Sequence, residues 1–169
     1  MVSKVYSPKV RNFVTFNHNQ FISKGFGGVP FITIQQKHEG LYLRTNSNPD
    51  PDYDPENDNN LIKSQYTITR NVALGKWHDL VFHIIWDFKT EGAGLLQVDY
   101  KIEDWEKYLR VVDVQEPNMY NREGYNKWGI YKPGWKEHPE LTNVTMRKIW
   151  HDNIRIGFSR DSVDPDQFR

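Results

Sequence analysis

The sequence predicts an all-β protein, an antiparallel β-sandwich or jelly roll of the concanavalin-like kind, and three observations carry that expectation. Apolar residues alternate with period two in one segment after another. Helical periodicity is scarce throughout. Aromatic residues make up 14% of the 169 residues, with six Trp and nine Tyr, and pleated sheets accommodate such rings well. A chain of this length is one domain's worth, so residues 1–169 are read as a single unit.

Residues 10–16 read as the first strand, with Val10, Val14 and Phe16 on one face. A turn-rich run, Lys24-Gly25-Phe26-Gly27-Gly28-Val29-Pro30, leads into a second strand over 31–35. Gly40 then turns the chain back into 41–44, a hairpin return. Residues 46–60 are rich in Pro, Asp and Asn, and this composition predicts a long exposed loop. Strands follow at 65–70 and 77–88; the second sets Leu80, Phe82, Ile84 and Trp86 on one face and His83 on the other with Val81 and Ile85. Gly92-Ala93-Gly94 turns into a strand over 95–102, another covers 109–114, and the last covers 149–158. Eight or nine short strands without a long helix fit a sandwich and not a doubly wound α/β fold.

Charge and composition exclude several functions. Lys plus Arg and Asp plus Glu both number 22, so no global basic field would draw the chain to nucleic acid. A mean hydropathy of −0.77 and the lack of any apolar run near 20 residues predict no membrane helix. No Cys is present, which removes disulfides, thiolate metal sites and a thiol nucleophile. Met1-Val2-Ser3-Lys4-Val5 holds no apolar signal core. His78, His83 and His151 fall in no metal-ligand spacing, and His151-Asp152 reads as a strand-end hydrogen bond. Asp50, Asp52 and Asp54 alternate in a way that suggests Ca2+. However, the Gly and Glu that an EF-hand loop needs are not at their positions, so a solvated loop is the better reading and no cofactor is required.

The stretch with most chemistry is Tyr125-Asn126-Lys127-Trp128-Gly129-Ile130-Tyr131-Lys132-Pro133-Gly134-Trp135. In a strand, Lys127, Gly129 and Tyr131 share a side, and the Gly leaves open space between a cation and a phenol. Such a floor suits a sugar ring. Elimination from a uronate needs a base at the C5 proton, a cation at the carboxylate and an acid at the leaving O4. A Tyr lowered by a neighbouring Lys can be base or acid. On spacing alone, ordinary cross-strand contacts of a surface Lys and Tyr are the better account.

Lys127-Trp128-Gly129-Ile130-Tyr131 resembles the Lys-aromatic-Gly-x-Tyr motif of polysaccharide lyases of the heparin lyase I and glucuronan lyase type, which have a jelly-roll fold. Residues 77–86 resemble the strand before that family's Gly-containing hairpin, and residues 150–157 resemble its closing strand. The resemblance runs from Val5 to Gly157. It implies that Tyr131 is the catalytic acid/base, that Lys127 lies in the cleft and that His18 completes the set. The family's Gln two residues before that His is Phe16 here, with Asn17 or Gln20 as substitute amides. The family's earlier Arg-x-Glu strand has no counterpart, so the chain is expected to be a fragment or a shortened relative.

Arg44 and Lys37 are candidate carboxylate ligands, Arg by its bidentate fork. Lys132 adds a further cation, and Trp135 is the candidate for stacking on a sugar. Trp128 alternates away from Lys127 and reads as core. The expected function is β-elimination on an acidic polysaccharide, glucuronan-, alginate- or heparin-like, by a secreted or periplasmic monomer. The cations named are too few for a heavily sulfated chain, which favours a non-sulfated uronan. A non-catalytic carbohydrate-binding sandwich is the alternative. A glycoside hydrolase would need paired carboxylates about 5 to 9.5 Å apart, and no strand here alternates acidic residues to supply them.

Overall fold

The computed structural model describes residues 9–11, 15–17, 30–37, 40–54, 60–89, 94–121, 125–127, 149–152 and 154–168. They form a β-sandwich of two five-stranded sheets and, among the described residues, no α-helix. The strands are β1 (Lys9–Arg11), β2 (Thr15–Asn17), β3 (Ile32–Lys37), β4 (Gly40–Ser47), β5 (Ile62–Thr69), β6 (Trp77–Ile85), β7 (Leu95–Ile102), β8 (Leu109–Gln115), β9 (Tyr125–Lys127) and β10 (Trp150–Asp152). The front sheet runs β5-β4-β3-β2-β9 and the back sheet runs β10-β1-β6-β7-β8. All pairings are antiparallel except those of β1, which lies parallel to β6 and β10.

Alternation explains the layers. On β6 and β7, Leu80 faces Tyr100, Phe82 faces Val98 and Ile84 faces Leu96, and these rows turn inward. Ile32, Leu41, Leu43 and Ile68 of the front sheet meet them in one apolar cluster. His83 lies on the opposite face with Val81 and Ile85, as alternation predicts, and it is exposed.

Four expectations need correcting. Residues 10–16 are not one strand: β1 belongs to the back sheet and β2 to the front, so Val10 and Phe16 lie in different sheets. Residues 149–158 are not one strand either, since β10 ends at Asp152 and residues 154–157 form no strand. The 46–60 segment is not uniformly exposed. β4 runs on to Ser47, and Asn46, Asn48 and Tyr53 are buried; Tyr53 meets Tyr120 edge-on at 5.3 Å. Trp86 lies past the end of β6, half-exposed, and packs on Phe31 at 6.1 Å.

The back sheet is covered on its outer face as well. Lys101 donates to both oxygens of Asp166 at 2.7 and 2.6 Å, and Arg160 pairs with Asp99. These bonds lay the 154–168 segment over β6 and β7. Val81, Asp99 and Lys101 are therefore buried although their register points outward.

His78 is fully buried within the fold. Its Nε2 lies 2.8 Å from the Ala73 carbonyl oxygen, an acceptor, so Nε2 carries the hydrogen and Nδ1 accepts from the Tyr100 hydroxyl at 2.6 Å. Burial lowers the His78 pKa from the ordinary value. The neutral form is the native one, so its stabilisation is complete above about pH 6.5, the unfolded value. It is lost as pH falls through the lower folded value, because the unfolded chain takes up the proton first. His151, lowered by burial too, acts with the same sign. The melting temperature should fall between pH 6.5 and 5, and a folded His78→Gln variant should show a shallower slope. Identical slopes would refute this assignment.

Candidate functional site

The front sheet's outward face follows from the strand parities. With Ile32 and Ile34 turned inward, Thr33 and Gln35 turn outward, and on β4 Tyr42 and Arg44 oppose Leu41 and Leu43. On β5 the outward register holds Lys63, Gln65 and Thr67. On β3, β4 and β5 this outward face is mainly polar.

Cross-strand register ties the sequence candidates together. Lys127 stands opposite Thr15 and Asn17 opposite Tyr125. Phe16 pairs with Ile32, so one step along Thr15 comes level with Thr33, which faces Arg44 and then Gln65. Lys127, Thr15, Thr33, Arg44 and Gln65 thus occupy one row across β9, β2, β3, β4 and β5. Three strand steps of about 4.8 Å put the Lys127 and Arg44 backbones ~14 Å apart. Lys37 ends β3 opposite Gly40. A Cβ on Gly40 would come within 2.6 Å of the Tyr42 hydroxyl, so the Tyr42 ring lies across that glycine.

Arg44 is half-buried, and no described carboxylate pairs with it. Beside it, the buried Thr33 Oγ1 has no hydrogen-bond partner among the described residues. Of the predicted residues, register puts Lys127 and Arg44 in one row, with Asn17 two positions from it along β2 and Lys37 four positions from it along β3. Tyr131, His18, Gln20, Lys132 and Trp135 lie outside the described residues. Sequence reading missed Thr33, Gln35, Tyr42 and Gln65 as parts of this face. The polar alternation Thr33, Gln35, Lys37 within an apolar strand was the available signal.

Two described tyrosines contrast with what a base requires. Tyr66 donates to Glu116 Oε1, which also accepts from Thr45 Oγ1 at 3.3 Å. Burial first, and then the Glu116 bond, push the Tyr66 hydroxyl up to about 12. Burial likewise raises that of Tyr100. Both hold their protons more tightly than a free phenol, the reverse of an activated base. Asp50 Oδ1 accepts from the Asp52 amide and Asn48 Oδ1 from the Asp50 amide, each at 2.8 Å, so these side chains form local turns. Among the described residues no group of three His, Asp or Glu is placed to hold a metal.

A family model described as polysaccharide lyase matches residues 4–155. No curated protein and no solved structure matches the chain.

Proposed function

The chain belongs to the polysaccharide lyase family, and from that premise we propose that it cleaves a uronate-containing polysaccharide by β-elimination across the outward face of the front sheet. The observation that carries this reading is the register row that runs from Lys127 through Thr15 and Thr33 to Arg44. Tyr131, four residues after Lys127, is the proposed acid/base. As base it takes the C5 proton, the C4–C5 double bond forms and the C4–O4 bond breaks. The same hydroxyl then returns a proton to O4. Lys127 lowers the tyrosine's pKa by its charge. His18 and an amide from Asn17 or Gln20 neutralise the uronate carboxylate as charge builds on it.

Arg44 has a different part. Three strand steps, ~14 Å between backbones, separate it from Lys127, and the role assigned to it is to hold a neighbouring uronate carboxylate through its planar fork. Lys37, Lys132 and Trp135 extend the binding face in the same sense. A row with few cations suits a non-sulfated uronan of the glucuronan or alginate kind.

The test is the ultraviolet absorbance of the unsaturated product on glucuronan, alginate, heparin and heparan sulfate. A rise on a non-sulfated uronan is expected. A flat trace on all four from folded protein would remove the lyase reading and leave a binding module. Arg44→Ala should raise KM about 10-fold, near the 1.4 kcal/mol of one charged contact, with kcat nearly unchanged. A fall in kcat at constant KM would instead place Arg44 at the reacting bond.

A further inference from the structure

The outer face of the back sheet carries a second feature that the elimination does not use. Between β6–β8 and the 154–168 segment lies a trough of about 550 Å³, within the range of small-ligand sites. It is built on fixed polar groups. Asp99, 8% exposed, receives hydrogen bonds from Arg110 and Arg160. Burial alone would raise the Asp99 carboxyl, but these two bonds outweigh it and hold it below the usual carboxylate range.

The second polar row is oriented by hydrogen-bond logic. Gln97 Nε2 donates to Asp113 at 3.0 Å, which turns Gln97 Oε1 toward His83 Nδ1, also at 3.0 Å. An amide oxygen only accepts, so Nδ1 carries the hydrogen and Nε2 is left as an acceptor. His83 is exposed and lines the trough. Arg110 and Arg160 use only part of their five N–H donors on described residues. Trp86 and the fully exposed Phe158 supply aromatic faces. Three arginines (110, 155 and 160) and one carboxylate, Asp99, line the trough, while Asp113 and Asp164 also pair with Arg110 and Arg160.

We propose that this trough is a second saccharide-binding site, taking an acidic sugar on the sheet opposite the cleft. Phe158 and Trp86 meet the ring faces, the arginine donors meet the carboxylate, and His83 Nε2 accepts from a hydroxyl. Such a site would tether a long polymer while its neighbouring stretch lies in the cleft, by effective concentration. The choice of probe rests on the uronate reading above; the site rests on the trough.

The test titrates a glucuronan tetrasaccharide into the Tyr131→Phe chain by calorimetry, beside cellotetraose as the uncharged control. Two equivalents are expected, and adding His83→Ala with Phe158→Ala, both exposed positions, should weaken one class at least 10-fold. Adding Arg44→Ala instead should weaken only the other class. If the His83/Phe158 variant removes all binding and Arg44→Ala changes nothing, the trough stands and the cleft reading fails. Binding unchanged in the folded His83/Phe158 variant would overturn the proposal, as would equally tight binding of cellotetraose.

Discussion

Replacing Tyr131 by Phe is expected to lower the rate of elimination by about 100- to 10,000-fold, the usual contribution of a positioned acid/base. The change removes one oxygen. If that oxygen takes the C5 proton, kcat falls while KM and the melting temperature move little, because the ring and its packing are kept. Tyr66→Phe is the matched control. Its hydroxyl donates to Glu116 on the inward side of the front sheet and is pushed up to about 12 by burial and that bond, so a folded Tyr66→Phe protein should keep its elimination rate. Steady-state rates of unsaturated product from both variants decide the matter. Loss of less than 10-fold in Tyr131→Phe would take the acid/base role away from this residue.

Asn118→Ala is expected to produce the largest loss of stability among the polar substitutions. Asn118 is fully buried where the β6–β7 hairpin opens. Its Nδ2 donates to the carbonyl oxygens of Ile85 at 2.9 Å and Leu95 at 3.2 Å, and its Oδ1 accepts from the Asp87 amide at 3.3 Å. Ile85 and Leu95 are the last described pair of that ladder, so the side chain stands in for the next rung. Close by, a Cβ on Gly94 would fall on the Glu116 carbonyl oxygen, so the two backbones pack closely there. Alanine would leave three backbone groups without partners, at about 1–3 kcal/mol each before water compensates. A net loss of about 3 kcal/mol is reasonable, lowering the melting temperature by roughly 6–12 °C in a domain of this size. Urea unfolding should show a lower midpoint at constant slope. A loss under about 0.5 kcal/mol would mean that the rung is not held by this side chain.

Arg44 and Asp99 show how unevenly sites are legible in the residues. Arg44 could be picked out because it stands in an alternating strand, where parity alone sets its face. Lys127 was reached by its motif, and register then ran it into line with Arg44. Asp99, Arg110 and Arg160 could not be grouped in advance. The first two are joined by a β7–β8 register that shifts between Val98 and Asp99, and the third comes from a segment 61 residues away.

Local alternation by itself determined that this protein is a β-sandwich and that His83 lies on the face of β6 opposite Leu80, Phe82 and Ile84, because a period of two is a property of each strand alone. Only the tertiary structure decided what depends on meetings between distant segments. It divided residues 10–16 between two sheets, buried Tyr53 against Tyr120 in a loop whose composition promised exposure, and laid the 154–168 segment over an outer face. Each of these turns on which partners satisfy a backbone edge or a buried charge, and a charge such as Lys101 is tolerated inside only because Asp166 arrives to pair with it.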